Sequence, residues 1–187
     1  MLAMDNSLKT VVLAAGCFWC LDSLARRLRG VHHVRSVYTG GSGPAIYEAV
    51  ASGGTGHAEA VEISYDPEVL PDEVLYSVFF SSHDPTSLNR QGYDVGTQYR
   101  SAMFYTDDAQ REEFSAAIAH AQASFDRPIV TTLEPLGRVF EAEEVHQDFH
   151  AQRPDVGYCQ VIIDPKVAKL RRDYASWLKP EEERSTH

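Results

Sequence analysis

Residues 10–30 read TVVLAAGCFWCLDSLARRLRG, and the change of period inside that stretch decides the fold. Thr10–Ala15 is a continuous apolar run, the character of a central strand buried on both faces. From Phe18 onward the apolar positions are Phe18, Leu21, Leu24, Ala25 and Leu28, a helical spacing, with Gly30 placed to end the helix. Strand gives way to helix across Gly16 and Cys17. This is the opening of a layered protein in which strands and helices alternate.

The same reading extends along the chain. HVRSVY (33–38) is a second strand, and AIYEAVAS (45–52) a short helical piece. EAVEISY (59–65) alternates, with Val61, Ile63 and Tyr65 on one face and Glu62 on the other. PDEVLYSVFFSS (71–82) is a helix, HDPTSLNRQGYDVGTQ (83–98) a long loop, and YRSAMFYT (99–106) a strand. The most amphipathic helix is expected next, on Phe114, Ala117, Ile118, Ala121 and Phe125, opened by the capping candidates Asp107 and Asp108. PIVTTLE (128–134) is the expected last strand, EAEEVHQDFH (141–150) a helix, RPDVGYCQ (153–160) a loop, and residues 179–187 a frayed tail. No repeat or linker appears. The expectation is one α/β domain spanning residues 1–187, its core at about 9–165.

Composition narrows the function. A chain of 187 residues suits one well-buried core. Its net charge of −10, with no basic cluster, argues against nucleic acid and anionic membranes as partners. MLAMDNSLKT lacks a basic region followed by a long apolar core, and no apolar run approaches a membrane span. The expected location is the cytoplasm. Three cysteines, Cys17, Cys20 and Cys159, are too few for a disulfide scaffold, so in a reducing compartment they are chemical or inert.

Cys17 has two readings. Free cysteine is often a small buried hydrophobe. A thiol at a helix start, however, faces unpaired N–H groups that favour an anion, which lowers its pKa and makes the sulfur a nucleophile. Phe18 and Trp19 beside it are core residues or the walls of an apolar pocket. Glu59 shares the parity of Val61 and Ile63, so its carboxyl points to the apolar face or escapes to water at the strand end. If buried, it stays protonated near neutrality and can donate a proton. GYDVGTQY (92–99) frames Asp94 and Tyr99 between glycines, in a loop long enough to be functional. Cys17-x-x-Cys20 suits a redox pair or half a zinc site. Glu143, His146 and His150 share one face of the expected helix at metal-ligand spacing, where a solvated face is the better reading.

GCFWC, YTGG, VASGGTGHAEAVEISYDP, HDPTSLNRQGYDVGTQYRSAMFY, AEEVHQDF and GYC, in that order from Thr10 to Cys159, together resemble the A-type peptide methionine sulfoxide reductases. The resemblance implies a ferredoxin-like α+β sandwich, a mixed sheet with helices packed on it. It implies reduction of methionine-S-sulfoxide, free or in proteins, with no cofactor or metal. By the same resemblance Cys17 attacks the sulfoxide sulfur, Glu59 protonates its oxygen, and Tyr47 and Tyr99 hold that oxygen. Asp94 orders the site, and Phe18 and Trp19 receive the S-methyl group. The sulfenic acid left on Cys17 condenses with a second cysteine, and thioredoxin reduces the disulfide. Cys159 resembles the family's resolving cysteine. Cys20 stands where many members carry glycine, so a second resolving or relay thiol is implied. A monomer is expected. Two other classes are compatible with the cysteines alone: a general thiol–disulfide oxidoreductase using Cys17 and Cys20, and a zinc-binding module.

Overall fold

The computed structural model describes residues 8–180. In chain order the elements are β1 (Lys9–Ala15), α1 (Phe18–Arg26), β2 (Val31–Thr39), α2 (Tyr47–Ala51), β3 (Ala58–Tyr65) and α3 (Asp72–Ser81). Then come β4 (Arg90–Gln91), β5 (Asp94–Val95), β6 (Ser101–Tyr105), α4 (Asp108–Gln122), β7 (Thr132–Pro135), β8 (Val139–Glu141), α5 (Phe149–Gln152) and α6 (Asp164–Asp173). The main sheet runs β7-β6-β1-β3-β2-β8. Its pairings are antiparallel except β6 with β7, so the sheet is mixed. Within it β6-β1-β3-β2 is a split β-α-β arrangement: β3 returns from β2 and inserts between β1 and β2.

β1 is buried on both faces, as its apolar run requires. Val11, Leu13 and Ala15 meet the helices with Tyr38, Val61, Ile63 and Met103, while Val12 and Ala14 join Val37, Ala60 and Phe104 on the opposite face. α1 lies so deep that Asp22 is also buried, satisfied by Arg26 Nε at 2.6 Å and the Ser36 hydroxyl at 3.0 Å.

Several expectations are corrected. α4 is capped by Asp107, whose carboxylate accepts the Gln110 N–H at 2.8 Å, but of its stripe only Phe114 is fully buried. Ala117, Ala121 and Phe125 line a cavity of about 540 Å³ between α3 and α4 instead. The loop 83–98 contains the β4–β5 ladder. PIVTTLE is not the last strand, because β8 pairs with β2 beyond it. Residues 141–150 are not one helix: a 3₁₀ turn spans Glu144–His146, Gln147 is extended, and Asp148 is left-handed with φ 50°. RPDVGYCQ is not a loop throughout. A π-helical turn, Cys159–Ile163, leads into α6, because Cys159, Ile163, Val167 and Leu170 form a buried stripe. Pro154 stands before that helix, where it interrupts nothing. At the tail, Lys179 N–H bonds to Arg27 O at 2.8 Å; the rest, from residue 181, lies outside the described residues.

The antiparallel topology has one consequence for function. The end of β1, the start of β3, the end of β2 and the start of β6 meet at one end of the sheet. Cys17, Glu59, Tyr38 and Tyr99 belong to those four chain segments.

Candidate active site

Gly16 turns the chain from β1 into α1 with φ +86°, and a Cβ there would sit 2.7 Å from Gln91 Cγ. Only glycine fits both conditions. Cys17 follows as the N-cap residue of α1 and is partly exposed. The helix start does not leave its thiol acidic, contrary to the expectation. Burial first, then the charge of Glu59 and that of Cys20, push the thiol well up, against the downward pull of the Trp19 N–H.

Glu59 enters from β3 with the parity expected of it, and only 1% of it is exposed. Its Oε1 accepts the Phe18 N–H at 3.2 Å. Burial raises its carboxyl to about 8, the Phe18 N–H opposing and Asp94 adding. At neutral pH Glu59 is therefore a carboxylic acid. Tyr47 opens α2 and Tyr99 closes the turn before β6. Burial and then the Glu59 charge push both phenols up, and Cys17 and Asp94 act on both. Asp94, on β5, accepts the Tyr158 hydroxyl at 2.9 Å.

An aromatic wall completes one side. The Trp19 ring stacks on Phe149 at 3.7 Å and 4°, and its Nε1–H donates to His146 Nδ1 at 3.1 Å. Burial lowers the His146 imidazole, which keeps Nδ1 an acceptor. The His146 ring also lies 5.5 Å from Phe18 and 4.5 Å from Tyr47. Glu143 fixes the same region: Oε1 accepts the Tyr38 hydroxyl and Oε2 the Tyr47 N–H, each at 2.8 Å. Although burial pushes the Glu143 carboxyl up, the Tyr47 N–H and Tyr38 hydroxyl hold it below its ordinary value.

Sequence reading therefore missed Glu143 and His146 as site residues. The helix expected for 141–150 would have placed them beside His150, but the break at Gln147–Asp148 sends His150 elsewhere. His150 bonds Ser23 Oγ and Asp164 Oδ1, each at 2.7 Å. Their one signal was the AEEVHQDF block. Among the described residues no group of three His, Cys, Asp or Glu side chains is placed to hold a metal.

On the other side of Cys17 opens a cleft of about 830 Å³, lined among others by Cys17, Cys20, Asp94, Tyr158 and Lys166. Cys20 is 2% exposed, and its sulfur lies 4.0 Å from the Tyr158 hydroxyl. Cys159 is not among the lining residues and is fully buried. All three thiols are free. Among the described residues no helix is long and apolar enough to cross a membrane.

With this geometry in hand, the chain can be set beside known proteins. Residues 9–178 match the family model described as peptide methionine sulfoxide reductase. Over 173 residues the chain is 56% identical to the peptide methionine sulfoxide reductase MsrA of Paenarthrobacter aurescens, covering 91% of this chain and 99% of that one. Among solved structures, Mxr1 from Saccharomyces cerevisiae in reduced form is similar with a TM-score of 0.76 and 33% identity, covering 82% of this chain and 90% of that one. Mxr1 in complex with Trx2 gives 0.54 and 26%, over 77% and 86%.

Proposed function

This chain belongs to the peptide methionine sulfoxide reductase family, and from that premise we propose how its residues reduce methionine sulfoxide. Cys17 is the nucleophile and Glu59 the acid. The thiol rests protonated, and so does the carboxyl. As Cys17 attacks the sulfoxide sulfur, Glu59 gives its proton to the oxygen, which would otherwise carry a strongly basic negative charge, and the proton shed by the Cys17 thiol restores the Glu59 carboxyl. The hydroxyls of Tyr47 and Tyr99 hold that oxygen, and Asp94 keeps the β4–β5 loop and Tyr158 in register. Phe18 and Trp19 take up the S-methyl group. The S–O oxygen moves to Cys17 as a sulfenic acid, and methionine leaves.

A second cysteine thiol then displaces hydroxide from the sulfenic acid, forming a disulfide and water. Thioredoxin, the reductant assigned here, exchanges its dithiol for that disulfide; Mxr1, a structural relative, is solved in complex with Trx2. The substrate class is methionine sulfoxide, free or in proteins, in its S configuration. The chemistry needs the cysteines reduced, which a reducing compartment supplies, so we place the enzyme in the cytoplasm; we take it as one catalytic domain that works as a monomer.

The observation that carries this reading is the buried Glu59 carboxyl, held on the Phe18 N–H beside a partly exposed Cys17. Simple thiol–disulfide exchange gives Glu59 no task. Incubation with N-acetyl methionine sulfoxide and a reductant tests it, with stoichiometric N-acetyl methionine expected. Reduction of disulfides with no sulfoxide turnover would sink it.

A further inference from the structure

The cleft beside Cys17 has features that sulfoxide reduction itself does not use. Two sulfurs line it, with two lysines, Lys166 and Lys169. Cys20 is the third residue of α1, an (i, i+3) neighbour of Cys17, and Cys20 N–H bonds to Cys17 O at 3.3 Å. Such neighbours hold their Cβ atoms about 5–6 Å apart. A disulfide needs about 3.5–4.5 Å. Cys17, as the N-cap, stands outside the helical ladder and can supply the small rotation. Cys159 does not line the cleft. It is fully buried in a helical turn, where Asp164, Cys20 and Asp155 act on it. Of the two other thiols, Cys20 is the one that shares the cleft with Cys17.

The surroundings of Cys20 also differ from those of an inert buried thiol. Burial outweighs the rest and leaves the thiol above its ordinary value; Lys166, from α6 and in the same cleft, pulls the other way by its charge. The Tyr158 hydroxyl lies 4.0 Å from the Cys20 sulfur and itself donates to Asp94 Oδ2 at 2.9 Å. A proton leaving Cys20 thus has a two-step path to a carboxylate in the same cleft.

We propose that Cys20 is the thiol that captures the Cys17 sulfenic acid, with Lys166 holding its thiolate and Tyr158 passing its proton toward Asp94. The proposal rests on the sulfoxide reductase reading. The Cys20 thiolate gives its electron pair to the Cys17 sulfur, the S–O bond breaks, and hydroxide leaves, taking up the proton that Cys20 released. The products are one Cys17–Cys20 disulfide and one water, with no further oxidant. Cys159 then acts by exchange. Its thiolate attacks Cys20, releases the Cys17 thiolate and moves the disulfide away from the substrate pocket.

The size of the Lys166 effect follows from two opposing trends. One unit of thiol pKa changes the thiolate fraction tenfold near neutrality, while the nucleophilicity of the thiolate changes about threefold the other way. The net is about threefold per unit. Losing the ammonium at Cys20 should therefore slow disulfide closure by about three- to tenfold.

The test is a single turnover on the full chain, without reductant, using N-acetyl methionine sulfoxide. Three products are followed: released methionine (as its N-acetyl derivative), dimedone-trapped sulfenic acid on Cys17, and the disulfide located by peptide mapping. Cys159→Ser should close a Cys17–Cys20 bridge. Lys166→Met should slow sulfenic acid loss about three- to tenfold relative to methionine release, and Lys166→Arg should restore most of the rate. The proposal is overturned if Cys159→Ser keeps its sulfenic acid with Cys20 free, or if Lys166→Met closes at the wild-type rate while methionine is released normally. A wild-type chain that releases no methionine removes the premise itself, and that outcome is read in a separate channel.

Discussion

On one side of Cys17 stand Glu59, Tyr47, Tyr99 and His146, all held neutral, the first three because burial raises them and the last because burial lowers it. On the other side stand Lys166, Asp94 and the sulfur of Cys20, in a cleft. The first side rests largely on strand ends and their immediate flanks, with Glu143 and His146 as braces. The second leans on α6 and the π-helical turn before it, a geometry frequent at functional sites. The contrast teaches how one sulfur performs two steps. Transferring oxygen from a sulfoxide needs a proton in reserve, which the buried Glu59 holds although the Asp94 charge reaches it. Capturing a sulfenic acid needs a thiolate, hence a cation, and Lys166 lines the cleft that Cys17 shares with Cys20. The two steps thus draw on different neighbours of the first turn of α1.

The largest expected effect removes the atom both sides share. Cys17→Ser should abolish methionine formation, while circular dichroism and thermal melting stay near wild type because the side chain is partly exposed at a helix cap. Normal turnover by that variant would end the comparison altogether.

Glu59→Gln breaks only the neutral side. It should slow the chemical step by about 10² to 10⁴-fold, the usual worth of a placed general acid. The wild-type chemical step should hold below pH 8 and fall as pH rises through about 8, where Glu59 ionises; the variant should lose that limb. A Glu59→Gln enzyme with the wild-type single-turnover rate would make the carboxyl structural.

The same substitution reports on stability, with the opposite sign. The folded-state value of Glu59, about 8, lies above its ordinary 4.5. Below pH 4.5 the group is protonated folded or unfolded and costs nothing. As pH rises from 4.5 to 8 the unfolded chain ionises first, so the wild type loses stability, and above 8 it carries the full cost of a buried carboxylate. That cost is on the order of a few kcal/mol. Glu59→Gln should therefore melt near wild type at pH 5 and clearly above it at pH 9. Parallel melting curves across that range would mean that Glu59 is not desolvated.

How much of this was legible beforehand depends on the period of the elements involved. β1, α1 and β3 carry strong periodicity, so the position of Cys17 and the inward parity of Glu59 could be read from spacing alone. Their electrostatics could not. The helix start argued for an acidic Cys17, but burial and the Glu59 charge outweigh a single N–H. Residues 141–163 misled for a different reason. Local propensity favoured a helix at 141–150 and a loop at 153–160, whereas Glu143, Gln147 and Cys159 are placed by partners far away in sequence. Gln147 bonds the Ser36 backbone through both its amide atoms, at 2.8 and 2.9 Å, an arrangement only an extended residue there reaches.

The smallest expected effect sharpens the neutral side without breaking it. His146 accepts the Trp19 indole N–H, and a hydrogen bond of this kind contributes about 0.5–1.5 kcal/mol net. His146→Leu keeps bulk in the aromatic wall but leaves that N–H unpaired, so Trp19 can turn away from the pocket. The apparent KM for N-acetyl methionine sulfoxide should rise about two- to tenfold, with kcat nearly unchanged. Trp19→Phe keeps an apolar ring and removes the donor, leaving His146 Nδ1 with a lone pair that a neutral imidazole tolerates, so its effect should be milder. If the hydrogen bond is what positions Trp19, the double variant should be no worse than His146→Leu, a coupling of about 1 kcal/mol across the cycle. Acid provides the same perturbation in the wild type. Protonating His146 puts a proton on the accepting nitrogen, and burial delays this to below the ordinary imidazole range. Affinity should therefore hold through neutrality and weaken only at lower pH, a fall that His146→Leu should not show. Additive single effects, with a flat wild-type profile, would assign His146 to packing alone and leave the Phe149 stack to hold Trp19.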